Sequence, residues 1–171
     1  MKLGKRLTGV LVATVIMVAM FPGLTANATS SKSGNCWRYR TSERSFVQKM
    51  NGARDRADRS RLRIDKHLTK VARVHTKAMA RTNRLYHTPS KTLSSRVTKW
   101  RILGENVGVG GNVTSLHHAF MSSPAHRDNI LFGQYRHVGV GVKMDGNTMW
   151  VTVVFESQAD PGTTLRVAPS C

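Results

Sequence analysis

The stretch HVGVGVKMDGNTMWVTVVFE, residues 137–156, contains the strongest secondary-structure pattern of the chain. In residues 138–144, valine and methionine alternate with glycine and lysine, and in residues 149–155 apolar side chains again recur at every second position. The residues between these two runs, DGN at 145–147, have the composition of a tight turn. The stretch therefore predicts two antiparallel strands joined as a β-hairpin.

Upstream of the hairpin, apolar residues recur every three or four positions, which is the period of an α-helix. This spacing predicts one helix over residues 42–58 and a longer helix over residues 68–85, with Asp65 placed to favour the start of the second. His75 falls on the apolar stripe of the longer helix, so we predict a hydrogen-bonded core histidine rather than a ligand. Helices followed by an antiparallel hairpin predict an α+β domain with helices packed on a sheet.

Two shorter segments lie between these helices and the hairpin. Residues 86–96 contain Pro89 and several serines and threonines, a composition typical of a loop. Residues 113–121 predict a short helix that Pro124 stops within the next turn.

The segment LHHAFMSSPAHRDNI, residues 116–130, holds three of the seven histidines. A serine nucleophile would require Ser122 or Ser123 to meet His126, together with an orienting group and an oxyanion hole, and sequence spacing guarantees neither. The simpler interpretation is that both hydroxyls hydrogen-bond to the exposed backbone ends of the short helix.

The first residues have the three parts of a secretory signal peptide: a basic start, an apolar run and the small-residue site Ala26-Asn27-Ala28. The run is shorter than the roughly 20 residues of a spanning helix, which disfavours an uncleaved anchor. We therefore predict a secreted, monomeric mature protein without an integral membrane span. The predicted organisation is a signal peptide over 1–28, a polar leader over 29–42, one domain over 43–157 and a tail over 158–171.

The two cysteines, Cys36 in the leader and Cys171 in the tail, lie near the two ends of the mature chain. Export implies an oxidising environment, so we predict a disulfide that links the termini. For so long a loop, the chain-entropy model gives a stabilisation of about 4–5 kcal/mol. The cysteines have no zinc-finger spacing.

The chain is strongly basic, with 27 Lys and Arg against nine Asp and Glu and a formal charge of +18. Without Lys2, Lys5 and Arg6 the charge is +15, which favours anionic partners such as wall polymers or acidic lipid headgroups. No aromatic residue interleaves with the densest basic run, RDRADRSRLRIDK at 54–66, so sequence-specific nucleic-acid binding is disfavoured. A solvated basic surface without a partner is the alternative.

Several blocks resemble, in order, bacterial members of the CAP superfamily, the SCP-like extracellular domain of cysteine-rich secretory proteins, antigen 5 and plant pathogenesis-related proteins. They are MNGARDRADRSRL (50–62), ARVHTKAMA (72–80), YHTP (86–89), GENVG (104–108), AFMSSPAHRDNIL (119–131) and HVGVGV with MWVTVVF (within 137–155). The resemblance implies an α-β-α sandwich with a central antiparallel sheet between helical layers.

The resemblance also implies a cavity lined by two histidines and two acidic residues. His87, Glu105 and His126 match three of these positions, and the fourth falls near Ser122 or Ser123, where this sequence has no acid. Two imidazoles and a carboxylate suit a divalent ion such as zinc. The same three groups could instead form a hydrogen-bonded set without metal.

Two functions follow as expectations. The first is a secreted binding or interaction module that contacts anionic envelope polymer or lipid and has no catalytic role. The second is a zinc-dependent hydrolase or peptidase that uses His87, Glu105 and His126, and the missing second acid counts against it.

Overall fold

The computed structural model describes residues 36–158 and 160–170, so the predicted signal peptide, most of the leader and Cys171 lie outside the described residues. Within them the chain forms five helices and four strands. In chain order these are α1 Thr41–Asp55, β1 Arg63–Ile64, α2 Lys66–Thr82, α3 Ser90–Arg96, β2 Leu103–Gly110, α4 Val113–Ser122, α5 Pro124–Leu131, β3 His137–Asp145 and β4 Thr148–Glu156.

The four strands form one sheet in the order β1-β3-β4-β2. Strands β3 and β4 are antiparallel, with Val142 opposite Val151, and Gly146 adopts a positive φ of 54° in the turn between them. The predicted hairpin is therefore confirmed. Strand β2 is antiparallel to β4, whereas the two-residue β1 is parallel to β3, so the sheet is mixed.

The alternating glycines of β3 let α2 lie directly on the sheet. A Cβ atom at Gly139 would come within 2.1 Å of the carbonyl carbon of Leu68, and one at Gly141 within 2.5 Å of that of Ala72. Since real side-chain carbons do not approach so closely, only glycine allows this packing distance. The valines between the glycines point to the opposite face of the sheet.

Helices cover both faces of the sheet. On one face, side chains of α1, α4 and α5 pack against Val138, Val140 and other apolar residues of the hairpin. On the other, Leu68 and Val71 of α2 and Leu93 of α3 pack with Val154. Full burial of one such side chain contributes roughly 1.5–3 kcal/mol. A third cluster joins Met79 and Ala80 of α2 to Val107 and Trp150 of the sheet. The α-β-α sandwich is thus confirmed.

One local prediction is wrong, and another is incomplete. The loop predicted over residues 86–96 contains helix α3, because Pro89 occupies the N-cap position, where a missing N–H costs nothing, and serine and threonine tolerate the following turns. Pro124 does follow the end of α4, but it also begins α5, since its fixed φ suits the first position of a helix.

The two ends of the described chain lie side by side. The N–H of Trp37 donates to the carbonyl of Pro169 at 2.8 Å, and Trp37 pairs with Ser170 as an isolated β-bridge. These residues adjoin the two cysteines, but Cys171 is not described, so the Cys36–Cys171 disulfide stays a prediction. Among the helices of the described chain, none combines the length and apolar character that crossing a membrane requires.

Candidate functional site

Glu105 is a nearly buried carboxylate at the start of β2, with 5% of its side chain exposed. Its Oε1 accepts a hydrogen bond from the N–H of Thr88 at 2.8 Å, and its Oε2 accepts one from the Thr88 hydroxyl at 2.6 Å. Hydrogen bonds to an ionised carboxylate are stronger than neutral ones. Glu105 therefore fastens the segment between α2 and α3 to the sheet.

His87 lies beside this contact and faces solvent. Its Nδ1 is 3.0 Å from Oε1 of Glu105, while 61% of its side chain is exposed. Nδ1–H donates to the carboxylate, which leaves Nε2 directed away from Glu105. The pair orients the ring, but an ion pair so exposed contributes little to stability.

His75 positions these residues from within α2. It is buried, and its Nε2–H donates to the carbonyl of Tyr86 at 2.7 Å, while its ring meets that of Tyr86 edge to face. The prediction of a hydrogen-bonded core histidine is confirmed. This contact fixes the chain immediately before His87 and Thr88.

His126 reaches the site from α5. Its ring stacks on Phe120, with 4.9 Å between ring centroids, and its Nδ1 hydrogen-bonds with Oγ of Ser123 at 2.9 Å. Burial, and then the neighbouring charge of His87, lower the pKa of His126. The imidazole is therefore neutral at physiological pH, the form that a metal ligand or a general base requires.

An amide network holds α5 against the other side of β2. Asn106 donates from Nδ2 to the carbonyl of His126 at 2.9 Å, and Asn129 donates to Oδ1 of Asn106 at 2.9 Å. Since neighbouring side chains of a strand point to opposite faces, Glu105 and Asn106 hold different layers. The sequence predicts that Asn129 ties loops together through backbone carbonyls, and its Nδ2 also donates to the carbonyl of Glu105 at 3.3 Å. Sequence reasoning missed Asn106 and Thr88, although each lies in a block that resembles the CAP superfamily.

A pocket of about 360 Å³ opens next to the exposed histidine. Apolar side chains of Leu93, Trp100 and Leu103 form one part of its lining, and His87 and Glu105 belong to another part. His126 is outside the lining, so the three predicted site residues do not share this pocket.

Of the three residues predicted as metal ligands, two are in contact and the third lies nearby. His87 contacts Glu105 directly, and His126 is close enough to His87 for their charges to interact. In the part of the chain that the structure describes, no three or more His, Cys, Asp and Glu side chains form a group that could hold a metal ion.

The sequence match agrees with the layered fold. Residues 47–155 match the CAP family, described as the cysteine-rich secretory protein family. The chain belongs to the CAP family. It is 28% identical over 131 residues to the uncharacterized protein YkwD of Bacillus subtilis, and the match covers 72% of this chain and 49% of YkwD. The chain thus spans about half the length of that relative.

Solved structures share the fold of this CAP domain. An extracellular SCP-domain protein of Bacillus anthracis superposes with a TM-score of 0.60 at 22% identity, covering 68% of this chain and 40% of that one. An outer surface protein of Borrelia burgdorferi gives a TM-score of 0.62 at 17% identity, covering 67% and 91%. The likeness is to an extracellular and a surface protein, and at these identities it concerns the fold.

The CAP domain does bring a serine and a histidine together, and here the prediction for Ser123 is wrong. Its side chain makes no hydrogen bond to the helix end and instead bonds to His126, because three residues across a proline place both on the first turn of α5. No carboxylate of the described residues forms an ion pair with His126. The pair therefore lacks the acid of a catalytic triad.

One arginine of the densest basic run is buried in the core. Arg54 is fully buried and donates to the carbonyls of Ser60, Ile130, Phe132 and Tyr135 at 2.7–3.4 Å. Burial, then the nearby Arg136 and Arg59, lower the pKa of Arg54. Its four carbonyl partners compensate for lost hydration, so this arginine is part of the core.

Proposed function

We propose that this CAP domain is an exported binding module that attaches to anionic envelope material, a wall polymer or acidic lipid. We also propose that the histidine cleft, the region around His87, Glu105 and His126, is not catalytic. The observation that carries the proposal is the imbalance of surface charge. Residues 36–170 include 23 Lys and Arg against nine Asp and Glu. Of these acids, Glu43 and Glu156 are fully buried and Glu105 is nearly so, which leaves few carboxylates at the surface.

Most of the basic side chains have no acidic partner. Within residues 36–158 and 160–170, the Lys and Arg residues that form ion pairs with a carboxylate are Arg40, Arg61, Arg73 and Lys99. The remaining surface cations repel one another and attract anions over a distance of about 10 Å at 0.1 M salt. A polyanion that neutralises them relieves this repulsion, so association is favourable at low ionic strength.

Export rests on the composition of the first 28 residues and agrees with the extracellular family. The test is N-terminal sequencing of the protein recovered from culture medium, which is expected to begin at Thr29. Protein retained in the cell with an intact first residue contradicts this part of the proposal.

The binding test is co-sedimentation of the purified protein with phosphatidylglycerol vesicles and with isolated wall polymer, with phosphatidylcholine vesicles as the neutral control. The retained fraction is expected to fall at least about tenfold between roughly 50 and 500 mM NaCl, because counterions compete for the anions. Absence of retention on both anionic materials at low salt contradicts the proposal.

A second candidate is a zinc-dependent hydrolase at His87, Glu105 and His126, and the histidine geometry favours it. Each ring uses Nδ1 in a hydrogen bond, and neither Nε2 atom has a hydrogen-bond partner among the described residues. A histidine held through one nitrogen and open at the other has the arrangement of a metal ligand. Zinc bound there would polarise a substrate carbonyl or activate water.

The hydrogen bonds of Glu105 count against the zinc-dependent hydrolase. The oxygens of Glu105 already accept hydrogen bonds from Thr88 and His87, which leaves fewer lone pairs for a metal ion. The residues present fit two imidazole ligands with Glu105 as the group that orients His87. Zinc titration by calorimetry tests whether His87 and His126 bind the ion. The wild type is compared with His87→Ala, His126→Ala and the exposed control His118→Ala. Equal zinc binding in all four proteins eliminates this site.

A further inference from the structure

We propose that a groove along α2 binds a linear phosphodiester or polyphosphate chain, a proposal that rests on the anion-binding function above and specifies its site. The α2 groove is defined by seven basic residues from four segments of the chain. They are Arg40, Lys70, Arg73, Lys77, Arg81, Lys143 and Arg166. Their convergence concentrates positive charge on one concave surface.

The helix supplies a regular row of these cations. Lys70, Arg73, Lys77 and Arg81 are three or four residues apart, so they lie on one side of α2, while Leu68 and its apolar neighbours pack on the sheet. From Lys70 to Arg81 the row is about 16 Å long at 1.5 Å per residue. This length matches several successive charges of an extended polymer better than a single small anion.

The surface along this row has three adjacent concavities that share lining residues. A central concavity of about 500 Å³ shares Lys70 with a second of about 450 Å³, which Arg166 and Pro169 of the tail also line. It shares Lys77 and Lys143 with a third of about 160 Å³. A row of adjacent concavities fits a flexible chain. A flat bilayer surface, by contrast, would touch only the rims of these concavities.

The floor of the groove is rigid. Arg73 forms a bidentate pair with the buried Glu43, at 2.7 and 2.6 Å, and its guanidinium lies 4.4 Å from the centre of the Trp37 ring. Arg40 donates to the carbonyl of Val142 and also approaches Glu43. One carboxylate thus orders two arginines and leaves the group with an excess positive charge.

The lysines along the walls are free to bind. Lys77 and Lys143 are exposed and Lys70 is half-buried, and none of the three forms an ion pair with a carboxylate of the described residues. Asp145 is the acid that lines the third concavity. Lysine ammonium groups bind phosphate as point charges, which suits the spaced phosphates of a linear chain.

The chemistry of the lining distinguishes a backbone-charged polymer from nucleic acid. The residues between the cations are aliphatic, such as Val74, Val142 and Ala168, and no aromatic side chain of the described residues lines the three concavities. Bases bind single-strand sites by stacking on aromatic rings, and Trp37, the ring beside the groove floor, already packs against the guanidinium of Arg73. A chain of phosphates without bases therefore fits it best.

The test compares two variants that each lose three positive charges. Lys70→Gln/Lys77→Gln/Lys143→Gln alters the groove, and Arg59→Gln/Arg61→Gln/Arg63→Gln removes exposed arginines of the basic run. Affinity for fluorescent long-chain polyphosphate is measured at about 100 mM NaCl, where surface charges farther apart than about 10 Å are screened. Urea unfolding establishes that both variants keep their stability.

The groove variant is expected to lose at least about tenfold in affinity and the control variant less than about threefold, because lost phosphate contacts lower affinity more than a reduced overall charge. Equal losses overturn the groove but leave the anion-binding function intact. If the wild type binds no anionic probe, the function itself fails. Tighter binding of single-stranded DNA than of polyphosphate, or binding to phosphatidylglycerol vesicles alone, overturns the polymer assignment.

Discussion

The densest basic run of the sequence and the most basic groove of the structure are different places. The run, residues 54–66, has six basic and three acidic residues among its thirteen positions. The α2 groove collects its seven cations from residues 40, 70–81, 143 and 166. Charge density along the chain therefore does not identify the site where charge is concentrated in space.

Part of the run is used by the fold itself. Arg54 is buried among carbonyl groups, Arg61 pairs with Asp55, and Asp65 accepts a hydrogen bond from Leu68 N–H as the N-cap of α2. In the groove, by contrast, the lysines lack such partners. A cation that the fold buries or pairs is therefore less available to a ligand than an unpaired lysine of the groove.

The largest expected effect comes from removing the buried cation of the run. Arg54→Met leaves the carbonyls of Ile130 and its neighbours without donors, so we expect a loss of roughly 3–5 kcal/mol in the free energy of unfolding. Urea denaturation measures it, with the exposed Arg59→Met as control. A loss below about 1 kcal/mol would place Arg54 with the ordinary surface cations.

The second-largest effect on stability is expected at Asp65, the acid that caps α2. Asp65→Ala removes the hydrogen bond to Leu68 N–H, and we expect a loss of about 1 kcal/mol in the free energy of unfolding. Asp65→Asn, which can accept the same bond, is expected to recover most of the loss. If alanine and asparagine behave alike, the structural role assigned to this residue of the run is wrong.

A smaller, pH-dependent effect distinguishes the histidine cleft from both basic regions. Burial and the neighbouring His87 lower the pKa of His126, so the unfolded chain binds a proton more readily than the folded one. Stability is expected to be fully retained above about pH 6.5 and to fall as the pH drops through the window below that value.

The matched measurement uses His126→Gln beside the exposed control His118→Gln, with urea unfolding at pH 7.5 and 5.5 and an NMR titration of the imidazole protons. The first variant should show a weaker pH dependence than the wild type, and the second should not differ from it. An imidazole midpoint for His126 above that of an unfolded histidine contradicts the assignment.

The smallest effect is expected at the exposed ion pair of the run. Asp55→Asn breaks the contact between Arg61 and Asp55, whose atoms are 3.7 Å apart on side chains at least half exposed. Such pairs contribute between zero and about 1 kcal/mol, so the midpoint of thermal unfolding should fall by no more than about 4 °C. A larger shift would mean that the run is held together by its surface charges.

Local patterns sufficed for much of the fold. The two-residue period of the hairpin and the helical period of α1 and α2 follow from side-chain burial on one face, which the sequence displays directly. Helix α3 and the start of α5 were missed because proline was interpreted only as a breaker. Strand β2 was not predicted as a strand, since its glycines hide the alternation.

The sites depended on contacts that the sequence does not display. The burial of Arg54 could have been predicted, since it follows Met50 by four residues and lies on the buried face of α1. It was instead counted with the surface cations because of its charge. The contact between Glu105 and Thr88 joins residues 17 apart, and the groove joins segments separated by about a hundred residues. Only the packed fold brings those together.

The most direct test of the central claim is an NMR map of the polyphosphate contact surface. Backbone amide shifts of the isotope-labelled protein are recorded during titration with long-chain polyphosphate. We expect the largest shifts in residues 70–81 and around Lys143, with small shifts in residues 54–66 and near His87. Largest shifts in the basic run or at the histidine cleft would contradict it.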